Sequence, residues 1–304
     1  ETSPWVDGAK EFARIVGEKT GGAITVQYYP ADQLTAGNQT DGIQALMDGT
    51  TELSMHSNLI WSSFDQRFNV VSLPFLFSST EEADAALDGA GGEALGEILE
   101  STYNVHLLGI AENGFRHITN SKHAIASKAD MNGLKMRVAG SQLLNRSYEL
   151  WGADYTNANW SEVFTALQTG TYDGQENPLG IITGNKFEEV QSYCTLTEHV
   201  YTPYYVVMNQ AKWDSLTAEQ QEALTKAIEE TTQRQYELSQ QYEDEAIEVM
   251  EGAGCAVRTL TDEEKLGFKE AADKANSLEA AKKIMYKPEL ADQMAAELEA
   301  YRNK

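Results

Sequence analysis

The longest uninterrupted helical pattern in this sequence runs from Thr217 to about Gly252, with no proline and with glycine only at its end. Apolar residues recur along it at spacings near multiples of 3.6: Leu224, Ile228, Leu238, Tyr242 and Val249. A helix of about 35 residues spans roughly 50 Å, which exceeds the diameter of a small domain. Because its apolar heptads are too irregular for a coiled coil, we predict that this helix braces two lobes.

Helix and strand patterns alternate along most of the chain, which indicates an α/β fold. Six segments have the pattern of strands: Ala23–Tyr29, Thr51–Ser57, Asn104–Ile110, Leu134–Gly140, Tyr204–Asn209 and Cys255–Leu260. Three helix starts show capping-box spacing: Ser79 with Glu82, Thr217 with Gln220, and Thr261 with Glu264. The 304 residues are enough for two lobes rather than one.

Two distant segments share the pattern Ala-Leu-x-x-Gly-Thr: "QALMDGTTELSM" (Gln44–Met55) and "TALQTGTYDGQE" (Thr165–Glu176). Each has the pattern of a helix, a glycine stop and then a strand or an extended segment. Chance similarity is the alternative. If the repeat is genuine, each half of the protein directs the same kind of element toward the crevice beyond the strand ends, where open α/β sheets bind ligands.

The chain is strongly acidic, with 23 Lys and Arg residues against 47 Asp and Glu residues and a formal net charge of -24. Nucleic acid is not an expected partner, because phosphate binding needs basic clusters. An anionic membrane surface is disfavoured for the same reason. An anionic small molecule is not excluded, since distant surface charges are screened by salt and one or two buried arginines can dominate a dry cleft.

No pattern of residues indicates catalysis, a metal site or a cofactor. The sequence lacks GxSxG, HExxH and Walker A motifs, and its five histidines, at positions 56, 106, 117, 123 and 199, have no ligand spacing. Cys194 and Cys255 leave a disulfide open. No apolar run approaches the roughly 18 residues of a transmembrane helix. The absence of a signal peptide decides nothing, since a processed exported protein also lacks one.

The segment "YDGQENP" (Tyr172–Pro178) follows a glycine that should stop a helical run, and it concentrates polar residues as a solvated turn does. Its neighbours, however, have the composition of an interior. Pro178 restrains Asn177 to an extended conformation. We therefore predict that this segment enters a cleft and presents Asn177 to a ligand.

Two other residues are candidates for ligand contact. In "GLKMRVAG" (Gly133–Gly140), a strand pattern places Arg137 in a region where both sheet faces tend to be covered. A buried guanidinium needs an anionic partner, either a ligand or a structural Asp or Glu. In "NANWSEVFTALQTG" (Asn157–Gly170), Trp160 lies at the mouth of a short helix, where it either packs in the core or forms a wall on which a ligand stacks.

Several segments, in order along nearly the whole chain, resemble the substrate-binding proteins of TRAP transporters, the DctP-like family: "EFARIVGEKTGGAITVQYYPADQL", "VVSLPFLFSSTEEA", "ENGFRHITNSKHAI", "ADMNGLKMRVAGS", "WSEVFTALQTGTYDGQENPL" and "KFEEVQSYCTLTEHVY". The pattern "ALQTGxxDGQENP" is highly specific. The resemblance implies an α/β, two-lobed periplasmic-binding-protein-like fold (type II-like). Such a protein closes on a small organic acid and delivers it to a TRAP membrane permease driven by an ion gradient.

The resemblance also implies roles for particular residues. The arginine of "LKxRV", here Arg137, is expected on the ligand carboxylate, and the asparagine of "QENP", here Asn177, completes that grip. The aromatic residue before "SEV" walls the pocket, and it is Trp160 here in place of the commoner phenylalanine. Arg116 of "GFRHITN" is expected to add a second positive contact.

Three further candidates lie in loops that resemble those facing the cleft from the first lobe. They are Asn38 after the "QLTAG" turn, and His56 and Asn58 after the "TELSM" strand. With Trp160 they would offer an aromatic wall and several hydrogen-bonding groups, which suits a hydroxylated acid such as a hexuronate. C4-dicarboxylates and aromatic or oxo acids are the alternatives.

The expected lobe I comprises residues 1–115 and 202–241, lobe II comprises residues 116–201 and 242–304, and the ligand cleft lies between them. Family members usually begin with a short strand before the segment matching "ETSPWVDGAKEF", so that strand and its ligand contacts are expected to be missing here. The expected location is periplasmic or otherwise extracytoplasmic, with a lipid anchor before processing left open, and the expected state is a monomer.

Two other classes of function were weighed against a transport receptor. An enzyme that uses Glu176 or His56 as a base is disfavoured, because no paired acid, base and nucleophile is recognisable. A sensory protein that signals the bound acid to a partner stays open, since it needs the same closing cleft.

Overall fold

The computed structural model describes residues 3–276, 292, 296 and 298–303. These residues form two β-sheets with helices packed around them. In chain order the strands are β1 (Leu53–Ser57), β2 (Val105–Phe115), β3 (His117–Asn120), β4 (Lys135–Val138), β5 (Asp154–Asn157), β6 (Gly174–Asn177), β7 (Tyr193–Leu196), β8 (Tyr201–Asn209) and β9 (Ala256–Thr259). The α-helices are α1 (Pro4–Lys19), α2 (Gln39–Met47), α3 (Asn58–Trp61), α4 (Thr80–Leu87), α5 (Ala90–Tyr103), α6 (Gln142–Trp151), α7 (Val163–Gln168), α8 (Leu179–Gly184), α9 (Gln210–Asp214), α10 (Ala218–Gly252) and α11 (Asp262–Asn276).

The smaller sheet has the order β1–β8–β2 and is antiparallel. The elements around it are called the first lobe below. Helices α1 and α10 pack together beside this sheet, over an apolar core that includes Trp5, Phe12, Val206 and Leu224. Strand β2 shifts register at Leu107/Gly109 and again at Glu112/Gly114, and the chain then passes through Arg116 into β3 of the second sheet.

The larger sheet has the order β5–β4–β6–β3–β7–β9 and is mixed. Strand β4 is parallel to β5 and β6, β3 is antiparallel to β6 and β7, and β9 is parallel to β7. The elements around it are called the second lobe. Helices α6 and α11 pack together on it, with a core that includes Met136, Tyr148, Trp151 and Phe268.

The predicted long helix is confirmed as α10, a single helix of 35 residues. Thr217 and Gln220 form the predicted capping box, which satisfies backbone N–H groups at the helix start. Helix α10 contacts α1 and β2 in the first lobe and α8 and β9 in the second. It therefore braces both lobes.

The strand prediction for Ala23–Tyr29 is wrong. Residues 25–29 have no regular secondary structure, and they line a cavity instead of pairing with a neighbouring strand. An alternating apolar pattern indicates that one side of a segment is buried. It does not show whether a neighbouring strand is there to form hydrogen bonds with the backbone of the segment. The other predicted strands overlap β1, β2, β4, β8 and β9.

The lobe bounds given above remain a prediction, with one difference in the C-terminal part. Residues 277–291 lie outside the described residues. Leu298 belongs to the core of the first lobe, and Arg302 pairs with Glu82 of α4 at 2.7 Å. Leu298 and Arg302 therefore pack on the first lobe, although residues 242–304 were predicted to belong to the second.

Cys194 and Cys255 are both buried and both free, so they form no disulfide. In the part of the chain that the structure describes, no helix combines the length and the apolar character needed to cross a bilayer. The same residues contain no group of three or more His, Cys, Asp or Glu side chains arranged to hold a metal ion.

Candidate functional site

A cavity of about 950 Å³ lies between the two lobes and is called the main cavity. Its walls include Asp32, His56 and Tyr204 from the first lobe, and Arg116, Arg137, Trp160 and Asn177 from the second. A side cavity of about 500 Å³ shares Arg137 and is otherwise lined mainly by amide and hydroxyl side chains, among them Asn38, Asn145, Asn157 and Asn159. Four of the seven predicted site residues therefore meet on the second-lobe wall of one cavity.

Arg137 supplies the main positive charge of this wall. It is the third residue of β4 and only 2% exposed. Its Nε and Nη2 donate to the carbonyl oxygen of Ala158 at 3.2 and 2.9 Å, and its guanidinium lies 5.6 Å from the centre of the Trp160 ring. Among the described residues no carboxylate lies within 4.0 Å of it. Burial lowers the pKa of Arg137 to about 10, partly opposed by the charge of Glu176, so the group stays cationic at neutral pH.

Arg116 is already engaged by a carboxylate of the protein. Its Nε and Nη2 donate to the two carboxylate oxygens of Glu176, and Nη2 also donates to the Glu176 carbonyl oxygen at 2.7 Å and to Asn177 Oδ1 at 2.9 Å. None of these bonds uses Nη1. The expected second positive contact from Arg116 is thus limited to that nitrogen, and its charge is balanced locally.

Glu176 stays ionised although it is completely buried. Burial alone would raise the pKa of Glu176, but the charge of Arg116 and the neighbouring His199 outweigh it and bring that pKa to about 2. His199 Nε2 lies 3.7 Å from Glu176 Oε2, and burial lowers the pKa of His199. Glu176 also accepts from the backbone N–H of Ala139 at 3.2 Å, which ties β6 to the end of β4.

The polar segment "GQEN" is β6, an interior strand of the large sheet, and all four residues are buried. Gly174 is required by close approach to β3, since a Cβ there would lie 2.2 Å from the carbonyl oxygen of Thr119. Asn177, the last residue of β6, donates from Nδ2 to Gln175 Oε1 at 2.5 Å and accepts from Arg116. Its amide is therefore held in one orientation at the cavity wall.

Trp160 lies on a short 3-10 helix, Trp160–Glu162, directly before α7. The indole is half-buried, packs against Phe187 at 5.5 Å between ring centres, and also covers the Arg137 guanidinium. One face supports the core and the cation while the ring borders the main cavity. Trp160 therefore combines the two roles predicted for it: one part of its side chain packs in the core, and another part forms a wall of the main cavity.

His56 lines the main cavity, but both of its ring nitrogens are occupied within the protein. Nδ1 lies 2.7 Å from Ser54 Oγ, and Nε2 lies 2.8 Å from Asp32 Oδ1. A carboxylate only accepts hydrogen bonds, so Nε2 carries a proton and donates to Asp32. Direct contact between a ligand and His56 would therefore involve the ring rather than a free nitrogen.

The two predicted asparagines of the first lobe lie elsewhere. Asn38 caps α2, where its Oδ1 accepts from the backbone N–H groups of Thr40 and Asp41, and it borders the side cavity. Asn58 is completely buried and lines neither cavity. Its Nδ2 donates to Phe68 O and Ser72 Oγ, so it ties α3 to the 3-10 helix Gln66–Ser72 and lies away from both cavities.

Asp32 and Tyr204 are among the cavity residues that were not predicted from the sequence. Tyr204 stacks on Trp5 at 3.7 Å between ring centres. Burial raises the pKa of Tyr204 to about 12, Arg116 opposes this, and Asp32 adds to it. The predicted strand Tyr204–Asn209 contained Tyr204, but nothing in its run of apolar residues distinguished a cavity residue from a core residue. "PADQL" likewise gives no signal of a cavity wall, because it has the composition of a surface turn.

The internal repeat is present in the structure. Helix α2, Gly49 and β1 correspond to α7, Gly170 and β6, and both glycines have left-handed backbone, with φ of 75° and 72°. In the two segments His56 and Asn177 occupy the same position. Each lobe thus brings the end of one equivalent strand to the main cavity.

Comparison with known proteins identifies the family to which this fold and sequence are similar. The family model of bacterial extracellular solute-binding proteins, family 7 (DctP), matches residues 1–283. The 2,3-diketo-L-gulonate-binding periplasmic protein YiaO of Escherichia coli K12 is 34% identical over 263 residues, covering 86% of this chain and 79% of YiaO.

Two solved structures share the fold over nearly the whole chain. A TRAP periplasmic solute-binding protein from Ralstonia eutropha H16 with bound (S)-2-acetolactate has a TM-score of 0.92 at 30% identity, covering 98% of this chain and 95% of that one. The sugar acid binding protein DctPAm of Advenella mimigardefordensis, in complex with galactonate, has a TM-score of 0.90 at 31% identity, covering 98% and 94%. These proteins are receptors and not enzymes. The present chain therefore belongs to the DctP family, the extracytoplasmic solute-binding proteins of TRAP transporters.

Proposed function

We propose that this protein captures a hydroxylated monocarboxylic acid, a sugar acid of the hexuronate or aldonate type, in the main cavity. One observation carries this proposal. Arg137 is a buried guanidinium beside the cavity with no carboxylate within 4.0 Å among the described residues. A buried charge without a partner is costly, and a carboxylate ligand supplies the planar, bidentate partner that a guanidinium matches.

The charge of the site supports one carboxylate rather than two. Glu176 balances Arg116 through a bidentate pair, which leaves the charge of Arg137 as the uncompensated one on the second-lobe wall. A short diacid would bring a second negative charge into a space that offers no second free cation among the described residues of that wall. C4-dicarboxylates are therefore the disfavoured alternative.

Three of the acids that similar proteins bind or are named for support the same class, whereas the DctP proteins of Rhodobacter capsulatus and Vibrio cholerae, each 31% identical, are named for C4-dicarboxylates. Galactonate and acetolactate, bound in the two solved structures above, and 2,3-diketo-L-gulonate, for which YiaO is named, each carry one carboxylate and at least one hydroxyl group. The amide-rich side cavity next to Arg137 offers donors and acceptors for such hydroxyls.

We further propose that the protein acts as a monomer outside the cytoplasm and delivers its ligand to the membrane subunits of a TRAP permease. Membership of the DctP family supports the extracytoplasmic location and the work with a TRAP permease. Uptake of the bound acid by cells should require both the permease genes and this protein, whereas a purely sensory role would leave uptake intact when the protein is deleted.

A binding panel tests the ligand class. Purified protein would be titrated calorimetrically, and its unfolding temperature followed, with galactonate, glucuronate, acetolactate, succinate and benzoate. A ligand at about 1,000 times its Kd stabilises by about 4 kcal/mol, so binding is easily seen. We expect the hydroxylated monoacids to bind most tightly. Tightest binding of succinate or benzoate would overturn the sugar-acid assignment and keep the receptor role.

A further inference from the structure

The main cavity has a carboxylate of the protein, Asp32, on the first-lobe wall opposite the arginines. Its side chain is 15% exposed and lines the cavity from the first lobe. One carboxylate oxygen, Oδ1, accepts from His56 Nε2 at 2.8 Å. The other oxygen, Oδ2, has no hydrogen-bond partner within the described part of the chain. Asp32 therefore offers the cavity an oxygen that can only accept hydrogen bonds.

The backbone that carries Asp32 is strained. Ala31 and Asp32 both have left-handed conformations, with φ of 50° and 52°, which non-glycine residues rarely adopt, least of all consecutively. The carbonyl oxygen of Asp32 accepts from Gly37 N at 2.9 Å and from Thr35 Oγ1 at 3.3 Å, so the following turn holds this conformation. Strain of this kind persists where the surroundings impose it, and it is concentrated in binding sites.

The side chain is held as firmly as the backbone. Ser54 Oγ lies 2.7 Å from His56 Nδ1 and fixes the imidazole that donates to Asp32. Gly42 closes the opposite side, because a Cβ at that position would lie 2.3 Å from Asp32 Oδ1 and 3.1 Å from His56 Nε2. Asp32 thus has one bonded oxygen, one open oxygen and no room to turn toward α2.

Asp32 and the two arginines face a common space. All three line the main cavity, and the charges of all three act on the hydroxyl of Tyr204, which also lines it. A ligand whose carboxylate lies at Arg137 would therefore extend within a cavity that has an anionic acceptor on its far wall.

We infer that Asp32 is a specificity-determining residue, whose Oδ2 accepts a hydrogen bond from a hydroxyl group of the bound acid and whose charge rejects a second carboxylate. The inference rests on the proposed function and extends it by naming the first-lobe residue that selects the ligand. A site built to accept from a hydroxyl discriminates strongly against an analogue that lacks it, and a like charge opposite an acidic group acts against the wrong ligand.

Asp32→Asn tests this inference. Asparagine tolerates the left-handed backbone and its amide oxygen can still accept from His56, so the fold and the turn are preserved. Kd would be measured calorimetrically for galactonate, for 2-oxobutanoate, which has one carboxylate and no hydroxyl, and for succinate. We expect the variant to bind galactonate about 10-fold more weakly, 2-oxobutanoate with less than a 3-fold change, and succinate more tightly than the wild type.

The matched control is Asp41→Asn, which makes the same change of charge at an exposed position of α2 that lines neither cavity. It should leave all affinities unchanged. Unchanged galactonate binding in Asp32→Asn, or an equal loss for galactonate and 2-oxobutanoate, would overturn the role of Asp32. If wild-type protein bound no hydroxylated acid at all, the proposed function would fail first and this inference with it.

Discussion

At the scale of single residues, the two arginines of the cavity differ in their bonding partners, although the sequence predicted ligand contact for both. Arg116 is bonded to Glu176 and Asn177, while Arg137, among the residues that the structure describes, is bonded only to a backbone carbonyl and is covered by Trp160. Removing one partner of a buried ion pair costs about 3–5 kcal/mol. Arg116 therefore belongs to the framework of the site, whereas the proposed contact with the ligand carboxylate depends on Arg137.

Arg137→Lys is expected to keep the fold and weaken acid binding by about 10-fold or more. Lysine keeps the charge but loses the planar fork, and one lost charge-assisted hydrogen bond is worth about 1.5–3 kcal/mol, against about 1.4 kcal/mol per decade of affinity. Calorimetric Kd values for galactonate would be compared with those of Arg146→Lys, an exposed arginine on α6 paired with Glu149. Equal affinity in both variants would remove Arg137 from the site.

At the scale of elements, the repeated unit of helix, glycine and strand explains how both lobes reach the cavity. In α7–β6 and in α2–β1 the helix stops at a left-handed glycine and the strand then ends at the cavity, with Asn177 in one lobe and His56 in the other. The glycine is needed because the left-handed backbone conformation is energetically unfavourable for other residues.

Two glycine substitutions test this requirement, because both positions have open space around them and differ in backbone. No atom lies within 4 Å of a Cβ at Gly170, where φ is 72°, or at Gly252, which ends α10 without a positive φ. Gly170→Ala should destabilise the protein by about 1–2 kcal/mol, whereas Gly252→Ala should be neutral or stabilise it by up to about 1 kcal/mol. Urea unfolding would measure both, and equal effects would show that the glycine stop is not a conformational requirement.

At the scale of the whole molecule, a buried acidic cluster lies where β2 leaves the first lobe beneath α10. Glu112 is 4% exposed, and its Oε2 has no hydrogen-bond partner among the residues that the structure describes. A Cβ on Gly114, at the second register shift of β2, would lie 3.6 Å from Glu112 Oε1 and 2.9 Å from Glu243 Oε1 of α10. Burial raises the pKa of Glu112 to about 8, with the charges of Glu243 and Asp84 adding to it, and burial raises the pKa of Glu243 to about 7.

This cluster predicts a loss of stability as the pH rises from about 4.5 to about 8. The folded protein keeps a proton on Glu112 at pH values where the unfolded chain, with the ordinary pKa of 4.5, has released it. The stability contributed by the protonated Glu112 is therefore fully present below that ordinary pKa and is lost as the pH rises toward 8. For one proton, the free energy of unfolding falls by about 1.4 kcal/mol per pH unit in this range. The free energy of unfolding in urea, measured across this range, should fall accordingly.

Glu112→Gln should flatten much of this decline, leaving the part due to Glu243. Glu229→Gln, at an exposed position of α10, serves as the control and should keep the wild-type slope. An unchanged slope in Glu112→Gln would mean that Glu112 is ionised in the folded protein.

Local patterns in the sequence were sufficient for some features of this protein. The absence of proline and glycine after Thr217 and the capping pair with Gln220 determine α10, because helix formation depends on near neighbours. The alternation around Arg137 likewise predicted β4, and its place in an α/β region predicted the buried position of its guanidinium. The glycine stops at Gly49 and Gly170 could be recognised for the same reason.

Only the tertiary structure decided which polar groups satisfy one another. Glu176 and Arg116 are 60 residues apart in the chain and His56 and Asp32 are 24 apart, and nothing in "GQEN" or "PADQL" distinguishes a buried strand or a cavity wall from a solvated turn. Asn58 and Ala23–Tyr29 were misassigned for this reason: a side chain or a strand is defined by the partner that packs against it. Secondary structure follows from local preference, whereas the charge and specificity of this site come from contacts that exist only after the chain has folded.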